Sequence, residues 1–207
     1  MILDHVGQSF FPNEILFRFF GFFAFPLFAL RVCDGYKYTS NFWNYIKRIF
    51  IIGLISQPLQ IWVYNLWTLN VFFTLMFGLL LIKFIETYKS DKLFIVVFTT
   101  LTIFISFVYD FFIFNAWGLL TILCLYYLRE NLIKFTIGYS IINGITYTFQ
   151  YLKYGGFEDK TLLIILFPLI INLNQIKVNF RFFNYKYWHY FIFPGHLFII
   201  GVILMLI

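Results

Sequence analysis

The sequence predicts an all-α protein: a polytopic transmembrane helical bundle of about eight spans, in a single domain covering residues 1–207. Of the 207 residues, 62% are hydrophobic and only 12% are charged, with a mean hydropathy of +0.85. A soluble domain of this size has too little interior to bury so much apolar surface. Because lipid offers no partner for backbone polar groups, and because polar residues do not alternate along the apolar runs, we expect helices rather than a barrel.

The apolar runs have the lengths of membrane-spanning helices, which need about 20 residues. The gap around Asp110 is short, which predicts a tight hairpin between the fourth and fifth spans. The predicted spans are Ile15–Val32, Ile46–Tyr64, Leu69–Ile85, Leu93–Tyr109, Phe111–Leu128, Leu132–Leu152, Leu162–Leu173 and Tyr187–Ile207.

The basic residues predict the orientation of these spans. Twelve of the fifteen Lys and Arg residues lie in one alternating set of gaps, and the opposite set carries only Arg18, Lys153 and Lys160. Cytoplasmic loops are enriched in Lys and Arg, so the first set is predicted to be cytoplasmic and both chain ends to face outward. Since the basic residues form no patch, the net charge of +6 does not indicate nucleic acid as a partner.

Histidines and carboxylates at membrane depth are candidate functional residues, because each costs about 2.5–3.5 kcal/mol to insert. Asp4 can raise the basicity of the neighbouring His5, as a general base requires. Adjacent helical residues point about 100° apart, however, and a solvated helix end is an equal alternative. His196 follows Pro194 and Gly195 in the middle of the last span, where it belongs to a site or bonds to a neighbouring helix.

Three further polar residues within the spans have open interpretations. Gln57 lies beside Pro58, so it either repairs the kinked helix or lines a site. Asn70 lies one turn before Thr74 on the same helical face, where it either joins neighbouring helices or belongs to a site. Arg18 lies one turn into the first span, from which its long side chain can extend to the outer surface.

The stretch RVCDGYKYTSNFWNYIKR, residues 31–48, mixes basic, aromatic and hydroxyl side chains on the cytoplasmic side. Lys37, Lys47 and Arg48 are suited to the phosphates of a coenzyme. An ordinary basic loop is the alternative. No spacing of His, Cys, Asp or Glu indicates a metal site, and no glycine-rich phosphate loop or nucleophile elbow is present.

Six segments in order resemble the TraX family, and more distantly the superfamily of membrane acyltransferases. Together they extend over nearly the whole chain. The segments are DHVG (Asp4–Gly7), RFFGFFAFPLFAL (Arg18–Leu30), DGYKYTSN (Asp34–Asn41), LISQP (Leu54–Pro58), LNVFFTLMFGLL (Leu69–Leu80) and FPGHL (Phe193–Leu197).

This resemblance implies an integral protein of the bacterial inner membrane that transfers acetyl from acetyl-CoA to an amine, such as the amino terminus of a pilin-like subunit in conjugation, or to another envelope acceptor. His5 would be the general base, Asp4 would tune it or anchor its helix, and His196 would relay the proton or orient the site. The coenzyme would contact Tyr36, Lys37, Lys47 and Arg48, and substrate or oxyanion contacts would come from Asn70, Arg18, Asp34 and Gln57.

Two other functions stay open from the sequence. A small-solute or lipid transporter or flippase would use Gln57, Asn70 and His196 to line a polar path. An inactive TraX-like assembly partner is the other alternative, because the family places an apolar helix before the Asp-His-x-Gly element. Only three residues precede that element here, so we expect this helix to be missing or truncated.

Overall fold

The computed structural model confirms an all-helical fold. It describes residues 2–11, 14–108, 114–155, 167–168 and 188–206, and within these ranges it contains eight helices and no strand. The helices are α1 (Ile2–Phe10), α2 (Ile15–Tyr38), α3 (Phe42–Tyr64), α4 (Val71–Thr87), α5 (Lys92–Val108), α6 (Asn115–Leu128), α7 (Leu132–Tyr154) and α8 (Trp188–Leu206).

Seven of the predicted spans correspond to helices α2 to α8. The largest difference is at the end of α2, which continues six residues past Val32 to Tyr38. The predicted span Leu162–Leu173 lies outside the described residues, except for Phe167 and Pro168, and so does the predicted hairpin at Asp110. The opening segment forms α1, a nine-residue helix.

By length and composition, one helix in the described ranges is sufficient to cross a membrane, the helix Phe42–Tyr64. Shorter apolar stretches are found at Lys92–Ser106, Asn115–Leu128 and Ile192–Leu206. The 17 residues of α4 extend about 25 Å, slightly less than the roughly 30 Å of a bilayer's hydrocarbon core. The number of spans therefore stays a prediction.

Helix α4 lies at the centre of the bundle and contacts α2, α3, α5 and α6. Its residues Val71–Met76 are all buried, as expected for a helix that is apolar all round. Glycines permit close packing on both sides, since a Cβ atom at Gly78 would overlap Ile122 and one at Gly53 would crowd Phe73. This central helix therefore holds α3 and α6 in place.

Short polar side chains begin several of the helices. Asn41 accepts a hydrogen bond from the Asn44 N–H at 3.0 Å, and Asp91 accepts one from the Phe94 N–H at 3.0 Å. Such caps satisfy backbone N–H groups that the first turn leaves without partners. Asn65 follows the last residue of α3 as its C-cap, with a φ of 51° in the left-handed region that asparagine tolerates better than most residues.

Candidate functional site

Two of the three histidines of the chain meet in the structure. The ring centroids of His5 on α1 and His196 on α8 are 5.1 Å apart. His5 Nδ1 lies 2.8 Å from the hydroxyl oxygen of Tyr64, the last residue of α3. Phe193 contacts both imidazoles edge-on, with centroid distances of 5.9 and 5.3 Å. Three helices therefore form one group of side chains, His5, Tyr64, Phe193 and His196, which we name the histidine cluster.

Glycines determine how closely α1 packs on α2. A Cβ atom at Gly7 would overlap the Phe17 side chain, and one at Gly21 would overlap the Asp4 side chain. Only glycine allows two helix backbones to approach this closely. Gly7, the final glycine of the DHVG segment, therefore lets α1 pack closely against α2. This packing positions His5.

Asp4 and His5 face different helices, as the 100° rotation per helical residue requires. The Asp4 carboxylate packs over Gly21 of α2 and accepts a long hydrogen bond of 3.4 Å from Gln8. His5 instead faces Tyr64 and His196. The structure thus places His5 and His196 together and places Asp4 at the contact between α1 and α2.

His196 is buried within α8 beside a proline. Pro194 lies inside the helix and has no backbone N–H to donate. The Nδ1 atom of His196 lies 2.7 Å from the carbonyl oxygen of Ile192, one turn earlier. Only 8% of the His196 surface is exposed. Its Nε2 atom is buried and has no hydrogen-bond partner among the described residues. This nitrogen is therefore held in a fixed direction inside the bundle.

Ion pairs join the end of α2 to the residues that follow α6. They lie near the start of α3, whereas the histidine cluster lies at its end. Asp34 lies 2.5 Å from the guanidinium of Arg129 and 3.9 Å from that of Arg31. Lys37 Nζ donates to a Glu130 carboxylate oxygen at 2.8 Å. The charge of Lys37 is therefore already balanced by an acidic partner.

Glu86 at the end of α4 accepts hydrogen bonds from two tyrosines. Tyr126 donates at 2.5 Å, and Tyr36 donates to the other carboxylate oxygen. Burial and the bond to Glu86 raise the pKa of Tyr36, which keeps its hydroxyl protonated as a donor. We name this set the polar network, and its members are Asp34, Tyr36, Lys37, Glu86, Tyr126, Arg129 and Glu130.

The four predicted coenzyme contacts lie on two helices, α2 and α3. Tyr36 and Lys37 belong to the polar network, whereas Lys47 and Arg48 are exposed on the first turns of α3. Arg48 lies over the Tyr45 ring at 5.6 Å from its centroid. Lys37 is exposed as well, but its charge is paired with Glu130, which leaves Lys47 and Arg48 as the candidate phosphate contacts.

Helix α3 separates the polar network from the histidine cluster. Tyr36 contacts Phe42 at the start of α3, with ring centroids 5.3 Å apart, and His5 contacts Tyr64 at its end. A helix of 23 residues extends on the order of 30 Å. The predicted donor residues and the predicted catalytic residues thus lie at opposite ends of the bundle.

The match to known proteins identifies the family. The family model described as "TraX protein" matches residues 1–204, which include the histidine cluster and the polar network. The chain belongs to the TraX family. This membership associates the chain with pilin in conjugation and with the membrane. No curated protein and no solved structure matched the chain.

In this TraX chain, Gln57 and Asn70 stabilise the junction between α3 and α4. Gln57 donates to the Thr68 carbonyl at 3.0 Å and accepts from the Asn70 backbone N–H at 3.0 Å. The Asn70 side chain donates to the Gly53 carbonyl at 2.8 Å and accepts from the Phe72 N–H at 3.0 Å, as the cap of α4. These bonds join α3 to the segment before α4 and cap α4, so an oxyanion role for Asn70 depends on its second amide N–H.

Arg18 is the remaining predicted site residue of this TraX chain. It lies near the start of α2, but its side chain is outside the described part of the structure. Among the side chains that are described, no three of His, Cys, Asp or Glu converge as metal ligands.

Sequence reasoning missed several members of both groups in this TraX chain. Tyr64 follows Gln60 by one helical turn and ends α3 on the side predicted to face outward with His5, which is the signal that could have indicated it. Glu86 and Glu130 lie among the basic residues of the side predicted to be cytoplasmic, where acidic residues are the natural partners, and Arg129 pairs there with Asp34. Their pairing depends on helices that meet only in the fold.

Proposed function

We propose that this TraX-family chain is a membrane-embedded acetyltransferase that moves acetyl from acetyl-CoA to an amine of an envelope acceptor. The amino terminus of a pilin-like subunit is the acceptor we favour, in line with the family's association with pilin. The histidine cluster carries the proposal, because histidine is the side chain that most often transfers a proton in catalysis, and two imidazoles are in contact here. His5 and His196 are the proposed catalytic residues.

Acetyl transfer to an amine requires a group that takes up one proton. The amine nitrogen forms a bond to the acetyl carbon and loses a proton, and the carbon–sulfur bond of the thioester breaks. An imidazole accepts the proton from nitrogen and returns it to the departing sulfur. The cluster supplies such imidazoles in a partly enclosed position, next to the apolar ring of Phe193.

The outer faces of α5 and α7 support a location in the membrane. Leu93 is 75% exposed, Phe104 62%, Ile133 72% and Leu152 76%. Apolar surface that extends along whole helices is rare on soluble monomers and is typical of contact with lipid or another protein. We propose the bacterial inner membrane, with the polar network on the cytoplasmic side, where most of the basic residues lie.

The separation of the two groups constrains how acetyl-CoA binds. We propose that its phosphates contact Lys47 and Arg48, the exposed cations at the start of α3. The acetyl thioester must then extend along the bundle toward His5 beside Tyr64, which follows Arg48 by 16 residues on α3, or about 25 Å along the helix axis. Lys37 would join the phosphates only by leaving Glu130.

Labelled acetyl-CoA and a peptide with a free amino terminus test this function on the purified chain. We expect His5→Ala and His196→Ala each to lower the rate by roughly 10²–10⁴-fold. His189→Gln is the matched control and should leave it unchanged. A His5→Ala protein that transfers acetyl at the unmodified rate would remove His5 from the chemistry.

Thermal protection separates the enzyme from a transporter. A bound donor raises the unfolding temperature, so acetyl-CoA should stabilise the protein in detergent. Uptake of a labelled solute into vesicles without coenzyme, together with no stabilisation by acetyl-CoA, would favour transport instead.

A further inference from the structure

We propose that the two histidines are held in opposite tautomers, so that His196 Nε2 takes the acceptor's proton and the N–H of His5 Nε2 donates a hydrogen bond to the acetyl oxygen. This division of roles rests on the proposed acetyltransferase function. The tautomers themselves are a property of the protein and are measurable without any reaction.

The tautomer of His196 follows from its bond to the backbone. Its Nδ1 atom lies 2.7 Å from the Ile192 carbonyl oxygen, which can only accept a hydrogen bond. Nδ1 therefore carries a proton. In the neutral ring the other nitrogen then has none, and His196 Nε2 presents a lone pair.

Burial keeps this ring neutral in the resting protein. His196 is 8% exposed, and its Nε2 has no hydrogen-bond partner in the described part of the chain. A charged ring would add a second N–H at a buried position without an acceptor, and burying an unpaired charge is unfavourable. With respect to the described residues, His196 Nε2 is thus an unprotonated nitrogen that can accept a proton.

Tyr64 determines the tautomer of His5 in the opposite sense. The hydroxyl oxygen of Tyr64 lies 2.8 Å from His5 Nδ1. A phenol O–H is a stronger acid than the N–H of a neutral imidazole, and an imidazole nitrogen is the better acceptor, so the hydroxyl donates to Nδ1. His5 then carries its proton on Nε2. Tyr64 is therefore a positioning residue that acts through His5.

A base and a donor side by side suit both charges that form during acetyl transfer. The rings are in contact, with centroids 5.1 Å apart. When the neutral amine attacks the acetyl carbon, the carbonyl oxygen becomes negative and the nitrogen becomes positive. His5 Nε2–H stabilises the oxygen, while His196 Nε2 removes one proton from the nitrogen. That proton goes to sulfur as the carbon–sulfur bond breaks, which returns both rings to their starting forms.

Nitrogen NMR of the full chain, labelled with ¹⁵N-histidine in detergent, tests the tautomers. The chain has three histidines, so His5→Gln, His189→Gln and His196→Gln assign each signal by its loss. We expect a protonated Nδ1 and a bare Nε2 for His196, and the reverse for His5. Finding the same tautomer at both residues, or a protonated Nε2 at His196 near neutral pH, would overturn the proposal.

Tyr64→Phe tests the positioning role within the same spectra. Loss of the hydroxyl should leave His5 as a mixture of tautomers and should leave the His196 signals unchanged. An unaltered His5 signal in a folded Tyr64→Phe protein would show that Tyr64 does not direct the ring. If this variant does not fold, the tautomers of the unmodified protein still decide the proposal.

Activity distinguishes the two roles, because glutamine can donate a hydrogen bond but cannot take up a proton. We expect His196→Gln to lower kcat by roughly 10²–10⁴-fold and His5→Gln, which keeps an N–H, to lower it by only about tenfold. Equal losses would overturn the division of roles. An unmodified protein that transfers no acetyl, but has the expected tautomers, would overturn the proposed function and leave the tautomer assignment standing.

Discussion

The carboxylate of Asp34 on α2 lies 2.5 Å from the guanidinium of Arg129, just after the end of α6. These two helices are distant in sequence, and the pair joins them at the end of the bundle opposite the histidine cluster. The two side chains are only 27% and 17% exposed, whereas Arg31, the second cation near Asp34, is 80% exposed. The Asp34 carboxylate thus pairs with one largely buried cation, Arg129, and one exposed cation, Arg31.

Replacing Arg129 should destabilise the fold more than replacing Arg31. Arg129→Gln leaves a partly buried carboxylate without its main partner, at a cost of roughly 1–3 kcal/mol in the free energy of unfolding. Arg31→Gln removes an exposed pair, and should cost less than about 1 kcal/mol. Thermal unfolding midpoints in detergent measure the difference, and equal shifts for the two variants would contradict it.

Gly7→Ala should disturb the histidine cluster without changing any of its residues. The new methyl group would overlap Phe17 and push α1 away from α2, so His5 would move relative to Tyr64. A displacement of about 1 Å can lower a rate by on the order of 100-fold. Gly144→Ala is the control, since beyond its own stretch of helix no atom of the described residues lies within 4 Å of its Cβ position. There, alanine should stabilise α7 by up to about 1 kcal/mol.

Replacing Asn70 should lower the stability of the fold, whether or not this residue takes part in the reaction. Asn70→Ala removes the cap of α4 and one hydrogen bond to the Gly53 carbonyl, which together should cost roughly 1–3 kcal/mol in the free energy of unfolding. Asn41→Ala removes an exposed cap alone and should cost about 1 kcal/mol. An Asn70→Ala protein with unaltered unfolding temperature and a much lower kcat would instead indicate the oxyanion role.

Lys47 and Arg48 should affect the affinity for the donor rather than the chemical step. Lys47→Gln and Arg48→Gln should each raise KM for acetyl-CoA by about fivefold, equivalent to about 1 kcal/mol, and leave kcat unchanged. Lys92→Gln removes the same charge from an exposed position on α5 and is the control. If Lys37→Gln alone raised KM while the Lys47 and Arg48 variants did not, the phosphates would contact the polar network instead.

The amino-acid sequence by itself predicted seven of the eight described helices, all except α1, and most of their bounds. Long apolar runs interrupted by short polar gaps require helices in a membrane, and both hydropathy and capping are local properties. The bounds of α3 show this, since Tyr64 ends the predicted span and the observed helix alike. The rotation of adjacent helical residues also correctly separated Asp4 from His5.

Only the tertiary structure decided which polar residues meet. His5 and His196 lie at opposite ends of the chain, and no local pattern relates them to each other or to Tyr64. The same holds for Lys37, whose partner Glu130 follows a different helix. Such contacts depend on how whole helices pack against one another. Hydropathy and periodicity report which face of a helix is apolar, and they carry no information about the neighbour that covers it.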